Sequence, residues 1–342
     1  MAAATGLQAL AAVLLLLVAA VPQAAAAGLT DKPLVLPGRV RPQVAAAAAA
    51  RPEPIERFGY FSPATNPARK LFYWFFQARS ATTGAAINAT TTPVIAWFNG
   101  GPGCSSLWGM FVEHGPYSLS TSRQLVPNSF TWATVGHMLY IDQPIGTGLS
   151  YSTKPGDATT SQLDVAQTVS TAQDCGTADL YNCYRSLDAR VEAYIAANKA
   201  RLGAPASVDY QACASQPYQS LLHDMTVSYD DLVGALVDNG VPVMVFSGED
   251  DWVCNSLASA QWLDGLIWSR QRRWKVAPVQ AWAGGTFKRV GPLSFVRVAN
   301  AGHMVPLDQP ALSLLMLRQW IATGQPTVPN PTVKSSRRRQ RL

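Results

Sequence analysis

Four short apolar runs, each breaking off into a glycine-rich or acidic loop, constrain this chain more than any other feature. Pro93-Val-Ile-Ala-Trp-Phe98 stops at Asn99-Gly-Gly101, and His137-Met-Leu-Tyr-Ile141 stops at Asp142-Gln-Pro144. Pro242-Val-Met-Val-Phe246 stops at Ser247-Gly-Glu-Asp-Asp251, and Leu293-Ser-Phe-Val-Arg-Val298 stops at Ala299-Asn-Ala-Gly-His303. Runs that stay apolar without alternating suit strands covered on both faces, and polar residues gathered past strand ends are where open α/β sheets place their sites. Helical stretches separate some of these runs. Asp230-Asp-Leu-Val-Gly-Ala-Leu-Val237 precedes one strand; Ala311 to Ala322 follows Pro310 and stops before Gly324, with proline at the start and glycine at the stop. The sum predicts an α/β fold with a mostly parallel sheet flanked by helices.

The ends of the chain do not belong to that core. Residues 1–27 carry the apolar run Leu10 to Ala20 and then small residues Ala24 to Ala27. The run is short for a membrane span and leads into an Ala-x-Ala-like site, the pattern of a secretory signal peptide; with no Lys or Arg ahead of it, a retained anchor is the other reading. Residues 28–56, with Pro33, Pro37, Pro42, Pro52 and the alanines 45–50, have no amphipathic period and read as a lead or propeptide. In the tail, residues 325–342, Lys334, Arg337, Arg338, Arg339 and Arg341 hold five of the formal +6 charges. The remaining core is nearly neutral, so the net charge gives no reason to expect nucleic-acid binding, and the tail reads as a disordered basic end. Residues 57–324 are enough for one α/β domain.

Asp251 and His303 both fall on loops after predicted strands, in the order in which a hydrolase triad places its acid and its base. Taken alone they admit a plainer reading, a helix cap and a loop histidine. The words around them decide. Trp97-Phe-Asn-Gly-Gly-Pro-Gly-Cys-Ser-Ser106, Phe111-Val-Glu-His-Gly-Pro116, Tyr140-Ile-Asp-Gln-Pro144 with Gly148-Leu-Ser-Tyr-Ser152, Gly248-Glu-Asp-Asp-Trp-Val-Cys-Asn255 and Gly302-His-Met-Val-Pro306 together resemble the serine carboxypeptidase family, from about Phe58 to Thr323. The resemblance implies an α/β-hydrolase fold that removes C-terminal residues from peptides. It implies Asp251 as triad acid and His303 as base, Asn99, the Gly100 backbone and Glu113 on the substrate's terminal carboxylate, and the Gly101 amide in the oxyanion hole. A glutamate facing a carboxylate must be protonated to donate, so binding is expected to favour acid pH. The implied partners are peptide or protein C-termini, and the implied compartment is secretory: secreted, lysosomal or vacuolar. No stable membrane association is expected once the signal segment is removed.

One member of the triad has no counterpart. The resemblance makes Ser105 and Ser106 structural, and geometry agrees, because a nucleophile elbow needs Gly-x-Ser-x-Gly: around Ser105 the second glycine position is Leu107, and around Ser150 it is Ser152. No Gly-x-Ser-x-Gly occurs anywhere in the chain. The family's Gly-Glu-Ser-Tyr-Ala-Gly segment, expected between Ser152 and Asp251, is absent, and with it the elbow strand and most of the cap. Triad members act as a unit, so the expectation is an inactive member of the family or a non-catalytic binder of C-terminal carboxylates. Loss of a central strand also forces its neighbours either to pair across the gap or to leave buried backbone groups unpaired, at about 1–3 kcal/mol each.

Five cysteines in such a chain point to disulfides. The resemblance pairs Cys104 with Cys213; Cys175 and Cys183, close in sequence, form a local pair, and Cys254 is left as the odd thiol near the substrate pocket. Pairing of whichever thiols lie close is the alternative. Asn88-Ala-Thr90 is a glycosylation sequon. Trp97, Trp108 and Trp252 line the peptide site or belong to the core. The four histidines are scattered with no Cys or acid at ligand spacing, so no metal is expected, and no nucleotide fingerprint or other cofactor motif is present.

Overall fold

The computed structural model describes residues 13–14, 56–63, 66–87, 92–161, 164, 181–225 and 227–323. Asn88 and Cys175, the side chain of Cys183, most of the leader and lead, and the basic tail lie outside the described residues.

The strands are β1 (Val13–Leu14), β2 (Glu56–Phe61), β3 (Arg69–Phe76), β4 (Val94–Trp97), β5 (Tyr117–Leu119), β6 (Leu125–Pro127), β7 (His137–Ile141), β8 (Tyr151–Ser152), β9 (Val243–Gly248), β10 (Gln280–Trp282), β11 (Gly285–Val290) and β12 (Leu293–Val298). The helices are α1 (Ser106–Gly109), which continues as a wider π turn over Met110–His114, α2 (Tyr181–Asn198), α3 (Ser215–Leu221), α4 (Asp230–Asp238), α5 (Ser256–Gly265), α6 (Gln271–Val276), α7 (Val305–Asp308) and α8 (Pro310–Thr323).

Two main sheets form, in the orders β2-β3-β7-β4 and β1-β9-β12-β11-β10; β8 adds to β3, and β5 and β6 make a separate hairpin. The sheets are mixed, which corrects the expectation of a mostly parallel one. Among the described strands the parallel pairings are β4 with β7 and β9 with β12. The rest are antiparallel; where the paired strands are consecutive, as β11 and β12 are, a connection as short as Gly291-Pro292 leaves no length for a crossover.

Burial follows the strand period of two. On β3, Phe72, Trp74 and Phe76 enter one core cluster while Leu71 and Tyr73 enter another on the opposite face. On the second sheet, Met244, Val296 and Val298 join the first cluster, whereas Val243, Val245, Leu293 and Phe295 form a third. The two sheets therefore share one apolar layer on a common face. Helix α8 seals that layer with Met316, Leu317 and Trp320, and it is tied to both halves: Trp132 Nε1 donates to Ser313 Oγ at 3.1 Å and Trp282 Nε1 to Gln319 Oε1 at 2.8 Å.

Within this frame β4 and β9 do not pair, and no described strand joins them. The edge of β9 away from β12 instead pairs antiparallel with β1, Val13 opposite Val245 and Leu14 opposite Met244. Of the two outcomes expected for a missing central strand, pairing across the gap does not occur.

Candidate functional site

The parallel register of β9 and β12 sets Gly248 opposite Val298, so the loops that follow leave the sheet side by side. They are stitched by Glu249 N to Val298 O at 2.8 Å and Asp250 N to Ala301 O at 2.9 Å. Gly248 permits this approach: a Cβ there would lie 2.1 Å from Ala301 O and 2.3 Å from Gly302 O, inside any tolerable contact. The loops bring Asp251 Oδ2 to 3.1 Å from His303 Nδ1. The other carboxylate oxygen accepts from the amides of Val253 at 2.8 Å and Cys254 at 2.9 Å, which fixes the carboxylate plane before the imidazole meets it. Burial alone would raise the Asp251 carboxyl, but the hydrogen bond and charge of His303, with those two amides, hold it below the ordinary carboxylate range. An ionised acid on Nδ1 is what orients an imidazole as a base.

A second constellation sits at the end of β4. Trp97 Nε1 donates to Asn99 Oδ1 at 2.6 Å, and Asn99 N donates to Ser106 Oγ at 3.0 Å. Gly109 lies against this group: a Cβ there would meet Asn99 Oδ1 at 2.5 Å, Trp97 Nε1 at 2.6 Å and Glu113 Oε1 at 3.2 Å. Asn99 and Glu113 thus converge over one glycine. Burial pushes the Glu113 carboxyl up to about 8; the charge of His303 opposes this and that of Asp308 adds to it. Glu113 is accordingly neutral at acid and neutral pH, with an O–H to donate, and it feels the same histidine that Asp251 orients.

The glycine loop that follows Asn99 is held by a disulfide, by backbone bonds and by buried hydroxyls. Gly101 and Gly103 have φ of 141° and 102°, conformations that side chains rarely adopt. Cys104 is disulfide-bonded to Cys213 across 109 residues, with Ser105 N donating to Ala212 O at 2.7 Å and Ala214 N to Gly103 O at 2.8 Å. Ser105 and Ser106 are fully buried. Ser105 Oγ donates to Asp142 Oδ1 at 2.6 Å and Ser106 Oγ to Ile141 O at 2.5 Å. Ser150, also buried, donates to Asp142 O and accepts from Phe72 N, both at 2.7 Å. These three hydroxyls brace the loop.

Asp142 was not singled out from the sequence, yet it organises this bracing. Its carboxylate takes Ser105 Oγ, the Ser106 amide at 2.9 Å and the Leu149 amide at 2.8 Å; burial lifts its pKa to about 6 against those bonds. Of the tryptophans, Trp97 and Trp108 are core, whereas Trp252, beside Asp251, is 84% exposed. Cys254 takes no part in a disulfide and is buried beside the pair: ligand atoms of Asp251, Cys254 and His303 all lie within 4.8 Å of one another. The turn from Asp251 to Cys254 is local, but the β9–β12 register that brings His303 to both is not, and no sequence spacing shows it.

An α/β frame whose adjacent strand ends bring an aspartate to a histidine, facing a glycine loop, is the α/β-hydrolase arrangement. The serine carboxypeptidase family profile matches residues 50–174 and 170–323, and the chain belongs to that family. Among curated proteins it is similar to serine carboxypeptidase-like 47 of Arabidopsis thaliana, 25% identical over 408 aligned positions that take in 79% of each chain. Carboxypeptidase Y of Komagataella phaffii is 22% identical over 392 positions, covering 74% of this chain and 73% of its own. Among solved structures, Kex1(delta)p, a prohormone-processing carboxypeptidase from Saccharomyces cerevisiae, superposes with a TM-score of 0.62 at 16% identity, covering 80% of this chain and 93% of the yeast chain.

Proposed function

We propose that this chain binds the C-terminal carboxylate of peptides or proteins through Asn99, the Gly100 backbone and Glu113, and does not hydrolyse them. The observation that carries the reading is a mismatch: Asn99 and Glu113 converge over Gly109, while the 342-residue sequence contains no Gly-x-Ser-x-Gly to supply an attacking hydroxyl. Three further observations support it. Ser105, Ser106 and Ser150 are buried and spent on structural bonds. The profile matches in two pieces that meet at residues 170–174, inside the interval where the elbow is expected. The 408-position alignment to the Arabidopsis relative uses only 79% of a 342-residue chain, so well over a hundred of its positions face no residue here.

With Glu113 protonated below about 8, its O–H donates to an incoming carboxylate, and ionisation above that value turns the contact into repulsion between like charges. The Cys104–Cys213 bridge fits an oxidising compartment and so a secretory route. Calorimetry at pH 6 with a free-acid peptide and its C-terminal amide tests the reading. Tighter binding of the acid, with no C-terminal residue released on long incubation, is the expected result; equal affinities remove the carboxylate cradle, and release of the last residue removes the non-hydrolytic part.

The second reading, peptide hydrolysis through a serine triad, is favoured by the retained 3.1 Å Asp251–His303 contact. It requires a transcript carrying Gly-Glu-Ser-Tyr-Ala-Gly between residues 150 and 190, which sequencing of cDNA across that interval decides.

A further inference from the structure

The Asp251–His303 pair has a third neighbour that acid–base chemistry does not use. Cys254 follows Asp251 by one tight turn, its amide bonded to the Asp251 carboxylate at 2.9 Å, and that turn delivers the thiol to the same point as the imidazole. One carboxylate oxygen, one imidazole nitrogen and one sulfur lie within 4.8 Å of one another. Ligand bonds of about 2.0–2.3 Å put the vertices of a tetrahedral zinc site about 3.3–3.8 Å apart, so three atoms held within 4.8 Å need only a small adjustment to reach it, and Cys, His and Asp together are the ligand chemistry of zinc rather than of calcium or magnesium, which take oxygen alone.

We propose that Asp251, Cys254 and His303 form a binding site for Zn2+, with the fourth position open toward solvent. The ligand set is pre-organised from outside. The Val253 and Cys254 amides occupy Oδ1 of Asp251 and leave Oδ2 on the imidazole side, the kind of outer bonding that orients metal-binding carboxylates. Gly248 holds the two loops together, so the ligands need no folding step to meet. The His303 side chain keeps 10% of its surface exposed, and Trp252, next to Asp251 in the chain, stands in solvent. A thiolate and a carboxylate with a neutral imidazole balance the charge of the ion. Occupation converts the pair from an acid–base unit into a ligand set, because Asp251 then faces the metal and no longer orients His303 by a hydrogen bond. The inference stands apart from carboxylate binding at Asn99 and Glu113, since its readout is metal alone.

Equilibrium dialysis of the full chain, disulfide intact, against Zn2+ is expected to give one bound ion, and Co2+ in its place to show thiolate-to-metal charge-transfer absorption. Cys254→Ala is expected to abolish that absorption and weaken Zn2+ binding at least about tenfold. Cys254→Ser, which keeps the side chain's shape, is expected to remain folded by circular dichroism and likewise lose the absorption. Failure of the parent chain to bind Zn2+, or Zn2+ binding and Co2+ absorption that persist in both variants, overturns the site.

Discussion

Replacing Glu113 with glutamine isolates the titration on which the proposed carboxylate cradle depends. Glu113 is buried and its carboxyl is raised from an ordinary 4.5 to about 8, mainly by that burial. A carboxyl raised in the folded state binds its proton more tightly folded than unfolded, so its contribution to stability is complete below about 4.5 and is lost as pH rises toward 8. At about 1.4 kcal/mol per unit, the parent is expected to lose about 4 kcal/mol between pH 5 and pH 8, a large share of a net stability of about 5–15 kcal/mol. Glu113→Gln keeps the shape and a donor but cannot ionise. Urea unfolding followed by tryptophan fluorescence at pH 5, 6.5, 8 and 9 should show the two proteins similar at pH 5, the variant increasingly the more stable to pH 8, and a constant gap beyond. Asp142 titrates within the same range, but it does so in both proteins and cancels in the difference. Parallel pH curves would refute the reasoning, as would a parent that gains on the variant with rising pH.

Other perturbations have expected outcomes that the geometry sets. Gly248→Ala places a methyl 2.1 Å from Ala301 O, so the β9 and β12 loops must part; a loss of about 1–3 kcal/mol in urea unfolding is expected, and an NMR titration should show the His303 imidazole released from Asp251. Replacing Cys104 and Cys213 together by alanine opens a 109-residue connection and should cost about 4 kcal/mol in the same assay, with the glycine loop gaining amide exchange. Asp142→Asn sets an amide against a site that receives Ser105 Oγ and the Ser106 and Leu149 amides, and should cost about 1–3 kcal/mol while leaving Asp251–His303 intact.

What could be read from the chain alone follows from how local each feature is. The runs His137–Ile141 and Leu293–Val298 are β7 and β12 to the residue, and the helices over 230–237 and 311–322 are α4 and α8 with one residue more at one or both ends. Strand β3, Arg-Lys-Leu-Phe-Tyr-Trp-Phe-Phe, carries a strand signal in its aromatics, but an apolar run with no alternation does not show which residues face which core, and its two-faced burial appears only once the neighbours are in place. Sheet direction escaped because a hairpin and a crossover strand look alike from within. At the candidate site, the words around Asp251 and His303, and around Asn99 and Glu113, pointed to residues that the fold brings side by side. Asp142 was not legible in that way, and of Cys254 only its place near the pocket outside the disulfides was legible, not its grouping with Asp251 and His303. The first acts through backbone amides and hydroxyls that converge only in three dimensions, and the second reaches the imidazole through the β9–β12 register.

This polypeptide is proposed to present an oriented base and an anion cradle but no hydroxyl for the base to activate. Intact-mass spectrometry of the purified 342-residue chain after incubation with a fluorophosphonate addresses it directly. The account predicts an unchanged mass under conditions that label an active serine carboxypeptidase completely. A single phosphonyl adduct on any serine, lost when His303 is replaced by glutamine, would contradict it.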